Sequence, residues 1–112
     1  TVTGGKTVYI SGQVGINERG EVVGKGDLKL QTEQAFRNIE FALAAVGTTF
    51  QNVVKTSLFV VGLRPEHVPI LREVRSRFVS ADTPPVSTLV GVSALVGPDW
   101  LIEIEAVAVI PE

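Results

Sequence analysis

Residues 100–110 read WLIEIEAVAVI, and this run decides the fold because it alternates without interruption. Successive side chains on a β-strand point to opposite faces, so the run sorts into two sets. Leu101, Glu103, Glu105, Val107 and Val109 share one face; Trp100, Ile102, Ile104, Ala106, Ala108 and Ile110 share the other. Two carboxylates on one face of a closing strand are the first candidates for chemistry.

Working outward, residues 53–61 (VVKTSLFVV) are rich in β-branched side chains and too apolar for a surface strand, which predicts a central strand. Residues 7–13 (TVYISGQ) alternate, with Val8 and Ile10 on one side and Tyr9, Ser11 and Gln13 on the other. Residues 17–20 (NERG) read as a turn in which Gly20 supplies a positive φ, followed by a short return strand over residues 21–23. The period then changes. Ala35, Phe36, Ile39, Ala42, Leu43 and Val46 recur at three- and four-residue steps, which predicts a helix over residues 30–46 that Gly47 terminates. Pro65 fits the first turn of a second helix, with Ile70, Leu71, Val74 and Phe78 as its buried stripe and Pro69 delaying the regular turns. Residues 83–85 (TPP) form a stiff connector, residues 88–95 a strand and residues 97–99 (GPD) a turn. The expected order is ββαβαββ. Its simplest packing is a two-layer α+β sandwich, a mixed sheet with two helices on one face, as a single domain over residues 1–112. The sheet's second face is left uncovered, and its Val and Ile content predicts self-association.

Composition excludes several classes. There is no cysteine, which removes disulfides, thiolate nucleophiles and cysteine-based zinc sites, and His67 is the sole histidine. His67 is expected on a helix surface. The net charge is −2, and the only cluster of basic residues, Arg72, Arg75 and Arg77, has the spacing of a solvated helix face. That distribution argues against nucleic acid, whose binding needs a basic surface. No apolar run reaches the length of a membrane span and no signal peptide is visible, so the expected compartment is the cytoplasm. The chain lacks methionine and opens within sequence that reads as ordered, which implies a removed initiator or an upstream segment.

Six segments in order carry a resemblance: YISGQVG, GEV, QTEQAFRNIEFALAAVG, VVKTSLFVVGL, PVSTLVGVSAL and LIEIEAVAV. Together they resemble the RidA (YjgF-type) family, with its SGQ after the first strand, its Q-rich helix start with an N-I pair, its V-V-K-T strand, its P-A-R-S strand start and its closing I-E-I-E-A strand. The resemblance implies a chorismate-mutase-like fold, a homotrimer with ligand clefts between subunits, and hydrolysis of reactive enamines or imines to 2-oxo acids and ammonia. It implies no metal and no organic cofactor.

Carried over residue by residue, the resemblance makes Glu103 the group that positions the hydrolytic water and moves protons. The alternative is a solvated strand acid, the role assigned to Glu105. Ser11 and Gly12 match the SGQ segment, where backbone approaches ligand; a strand-end or bulge glycine is the equal alternative. Ser87 stands where the family has a carboxylate-clamping arginine, and a neutral hydroxyl replaces a planar two-pronged cation; it is a candidate substrate contact, with an ordinary strand-entry residue as the equal alternative. Loss of such a partner from a desolvated site costs roughly 2–5 kcal/mol, so carboxylate-bearing imines are expected to be poor substrates unless Arg72, Arg75 or Arg77 substitutes. Arg72 itself falls at the family's pocket asparagine, a second departure. The family's G-P-Y segment, with its pocket tyrosine, would precede Thr1. Three functions follow: an imine or enamine hydrolase of altered substrate range, a trimer that binds a small metabolite without turnover, and, disfavoured by charge, an endoribonuclease.

Overall fold

The computed structural model describes residues 5–111. Its elements are β1 (Lys6–Val14), α1 (Leu28–Ala45), a 3-10 turn (Phe50–Asn52), β2 (Val53–Val61), α2 (His67–Arg75), β3 (Val86–Val92) and β4 (Ile102–Ile110). The sheet order is β1-β4-β2-β3. β4 pairs antiparallel with both β1 and β2, and β2 pairs parallel with the edge strand β3. The strand and helix pattern and the single helical layer agree with the α+β sandwich expected from the sequence.

The alternation of β4 is realised as anticipated. Ile102, Ile104, Ala106 and Ala108 are buried against Phe36, Ile39 and Leu43 of α1 and Leu71 and Val74 of α2. Phe36, Phe50 and Phe78 form an aromatic knot at one end of this core, with Phe36 and Phe78 stacked at 5.2 Å. Phe78 lies beyond the end of α2 and still packs as a core residue. Helix α1 starts where the Asp27 carboxylate accepts from the Leu30 N–H at 3.0 Å. It ends at Gly47 (φ +78°), whose N–H bonds to the Ala44 carbonyl.

Several expectations are corrected. No strand forms over residues 21–23; only the bridge Ile16–Val22 is present. The turn at residues 17–20 is there, with Gly20 at φ +77°, but Gly24 and Gly26 also take positive φ and turn the chain into α1 after three residues, too few for a strand. Pro65 lies ahead of α2, in a turn whose carbonyl accepts from Val68, and Pro69 occupies the helix's first turn, where a missing N–H is harmless. β3 begins at Val86, earlier than expected, and ends at Val92, because its parallel register with β2 starts at Lys55–Val86. β4 begins at Ile102, after Trp100. The uncovered sheet face is also more polar than its Val and Ile content suggested: it carries Tyr9, Lys55, Ser57, Glu103 and Glu105 beside Phe59 and Val107.

Candidate functional site

The site is built on the uncovered face where β1 meets β4. Ile10 pairs with Ala106 and Gln13 with Ile104, so Ser11 and Gly12 together oppose the single residue Glu105. That is a β-bulge, a device that bends a strand and re-aims its side chains. Gly12 faces Glu103 directly. A Cβ placed on Gly12 would lie 2.6 Å from Cδ and 2.8 Å from Cγ of Glu103, and closer still to Oε2. The glycine therefore seats the Glu103 carboxyl against the bulge. The structure bears out the bulge reading of Gly12, and the close approach its missing Cβ permits is that of the Glu103 side chain.

Beside this pair lies a depression of about 380 Å³ bordered by Tyr9, Ser11, Lys55, Ser57, Glu105 and Val107. Glu105 is exposed and Glu103 half-buried. Tyr9 is 80% exposed, so this wall of the depression is open to solvent. Glu103 and Glu105 are about 7 Å apart along the strand. Lys55 lines the depression together with Glu105 and pairs with Val107 in the sheet, while Glu103 lies outside its lining.

Ser87 lies elsewhere. Its hydroxyl accepts from Thr56 Oγ1 at 3.2 Å, and Thr56 pairs with Ala106, so both hydroxyls are on the helix side of the sheet. Arg72 is exposed on α2. Within one chain the five candidate residues thus fall into two groups. Ser11, Gly12 and Glu103 come together on the open face, while Ser87 and Arg72 belong to the helix layer and the β3 edge. His67 caps its own turn: Nδ1 accepts from the Arg64 N–H at 3.0 Å.

Two residues behind the site were not singled out by sequence reasoning. Gln31, fully buried, donates to the carbonyls of Gly24 and Asp99 at 3.1 and 3.0 Å and accepts from the Leu101 N–H at 2.9 Å. It ties α1 and the loop before it to the segment feeding β4. Asn38 donates to the carbonyls of Val14 and Ile16, both at 2.9 Å, and so holds the end of β1 beyond the bulge. The Q-rich helix start and the N-I pair were the available signal, and both side chains tie α1 to neighbouring segments.

A two-layer sandwich of this order, with its bulged first strand under a central acidic strand, is the chorismate-mutase-like fold. The sequence pattern of the family described as Endoribonuclease L-PSP matches residues 1–110. A 2-iminobutanoate/2-iminopropanoate deaminase of Dermatophagoides farinae is 34% identical over 106 residues, covering 95% of this chain and 80% of that protein. The RutC family protein YjgH of Escherichia coli is 34% identical, covering 99% and 81%. Among solved structures, a Rid-family protein from Yersinia pestis superposes with a TM-score of 0.91 at 37% identity, covering 95% of this chain and 80% of its own, and RidA from an Antarctic Psychrobacter with 0.83 at 34% identity, covering 97% and 85%. The chain belongs to the RidA/YjgF family.

Proposed function

We propose that the protein hydrolyses a small imine or enamine to a carbonyl compound and ammonia, with Glu103 as the acid–base group. The observation that carries this reading is the Glu103 carboxyl seated against Gly12 on the open sheet face. Glu103 accepts a proton from water as the oxygen adds to the imine carbon, and the C=N bond becomes a C–N bond. Glu103 then returns the proton to nitrogen, giving the carbinolamine; it next takes the hydroxyl proton and passes it to nitrogen as the C–N bond breaks, so that C=O forms and ammonia leaves. Each transfer needs only a carboxyl group within hydrogen-bond reach. The family and the named deaminase relative support this chemistry.

The cleft is completed by a second copy of the chain. Glu103 and Ser87 lie on opposite sides of one sheet, so a ligand that meets both must bridge two subunits. A homotrimer meets that need, and a sedimentation mass of three chains is expected. The substrate range departs from the family's because Ser87 offers no strand-borne guanidinium.

The test is product analysis with 2-aminoacrylate generated in situ. Hydrolysis yields ammonia and pyruvate in equal amounts and faster than the buffer reaction. A trimer that only binds metabolites shows thermal stabilisation by ligand with no extra product, and that result overturns the hydrolase reading. An RNA substrate fits poorly, since the depression is lined by one lysine, Lys55, and one carboxylate, Glu105, and offers no basic surface for phosphate.

A further inference from the structure

The depression on the open face holds polar groups that the mechanism above does not use. Glu105 is flanked in the sheet by Ser57, its direct partner on β2, and by the bulge residue Ser11 on β1. Directly opposed residues have Cβ atoms about 5 Å apart, so the Ser57 hydroxyl lies beside the Glu105 carboxylate. All three side chains line the depression. Ser57 is only 8% exposed, and its hydroxyl makes no hydrogen bond among the described residues. A hydroxyl buried that deeply ordinarily has a partner, and here the only side left for one is the depression.

Two residues along the strands, Val107 lies between Tyr9 of β1 and Lys55 of β2, and these three line the same depression. Lys55 and Glu105 therefore border one hollow with opposite charges. Among the described residues they form no ion pair with each other or with any other group. An ammonium only donates and a carboxylate only accepts, so one cannot do the work of the other. The two rows are about 7 Å apart along the strand, and Lys55 carries its charge on a flexible four-carbon stem. Glu103 belongs to the row on the other side of Glu105, outside the lining.

We infer that this depression binds a small zwitterionic α-amino acid. The ammonium of the ligand donates its three N–H bonds to the Glu105 carboxylate and to the Ser11 and Ser57 hydroxyl oxygens. The ligand's carboxylate accepts from Lys55 and from the Tyr9 hydroxyl. A short apolar side chain rests on Val107, and a hollow of about 380 Å³ admits a molecule of that size. A ligand with one charge satisfies only half of the set. A plain amine meets Lys55 as a like charge, and a plain carboxylate meets Glu105 in the same way. The site goes beyond the hydrolase reading and does not depend on it.

The test is calorimetric titration of the full chain with L-alanine, and with ethylamine and propanoate as its two halves. The wild type binds alanine, and it binds each half about tenfold or more weakly, because each half lacks one charge-assisted contact. Glu105→Gln and Lys55→Met each weaken alanine by about tenfold or more, and Ser57→Ala weakens it by less. Two gains separate direct contact from a structural effect. Lys55→Met binds ethylamine more tightly than the wild type does, and Glu105→Gln binds propanoate more tightly. Glu103→Gln binds alanine as the wild type does. No alanine binding by the wild type, no gain for either half, or an equal loss in Glu103→Gln and Glu105→Gln overturns the proposal. So does a wild type that binds no amino acid while both charge variants change the sedimentation mass, which places Lys55 and Glu105 in contacts between copies of the chain. Alanine binding with these dependences in a chain that releases no ammonia from 2-aminoacrylate supports the site and sinks the hydrolase reading alone.

Discussion

Gly12 is the residue whose chemistry is easiest to isolate. Its φ is not in the left-handed region, so a side chain there meets no backbone strain; it meets Glu103. Because the obstructing atoms belong to a flexible side chain, Gly12→Ala is expected to leave the melting temperature within a few degrees of wild type. The carboxyl is displaced by about an ångström or more, and misplacement of that size lowers turnover by about 100-fold. Ammonia release and a thermal melt on the same sample check both halves. The sequence made Gly12, Glu103 and Ser11 legible as a set through the family pattern, and the structure brings those three together. It could not reveal that Ser87 faces the other way. Strand parity depends on the register of β3 with β2, which no local pattern encodes.

At the scale of elements, the anchors outweigh the strands they hold. Gln31 meets three partners inside the protein, and Gln31→Leu leaves two carbonyls and one N–H without them. Each unsatisfied buried group costs about 1–3 kcal/mol, so a loss of several kcal/mol in chemical denaturation is expected. The end of α2 has a pH signature. The hydrogen bond from Arg77 holds the Glu73 carboxyl below its ordinary 4.5. The folded state therefore binds fewer protons than the unfolded chain in that range. The stabilisation from Glu73 is present above about pH 4.5 and lost as pH falls through the depressed value. The melting-temperature gap between wild type and Arg77→Gln should narrow as pH falls from 7 to 3. It should be modest throughout, since the pair is exposed and screened by salt. A gap independent of pH contradicts this. Elements with strong periodicity, α1, β2 and β4, were legible from sequence almost to the residue. The return strand at residues 21–23 was not, because its local turn chemistry competes with glycines at 24 and 26 that commit the chain to α1. Pro65 misled for a related reason: two prolines four residues apart each fit a first turn, and only the helix's packing decides between them.

For the whole molecule, the fold places the core and the proposed acid–base group on opposite sides of one sheet. β4 serves both, with Ile102, Ile104 and Ala106 beneath the helices and Glu103 and Glu105 on the open face. The edge strand β3 is exposed along most of its length, with Val86 69% and Val90 40% accessible. An uncovered edge and an uncovered face suit burial by further copies of the chain. On the proposed mechanism the carboxyl group over Gly12 drives hydrolysis. The most direct measurement is the rate of ammonia release from freshly generated 2-aminoacrylate by wild type and Glu103→Gln at equal concentration. Enzyme-dependent release by the wild type and a loss of about 100-fold or more in the variant are expected, with the fold intact. Equal rates for the two proteins would contradict that mechanism.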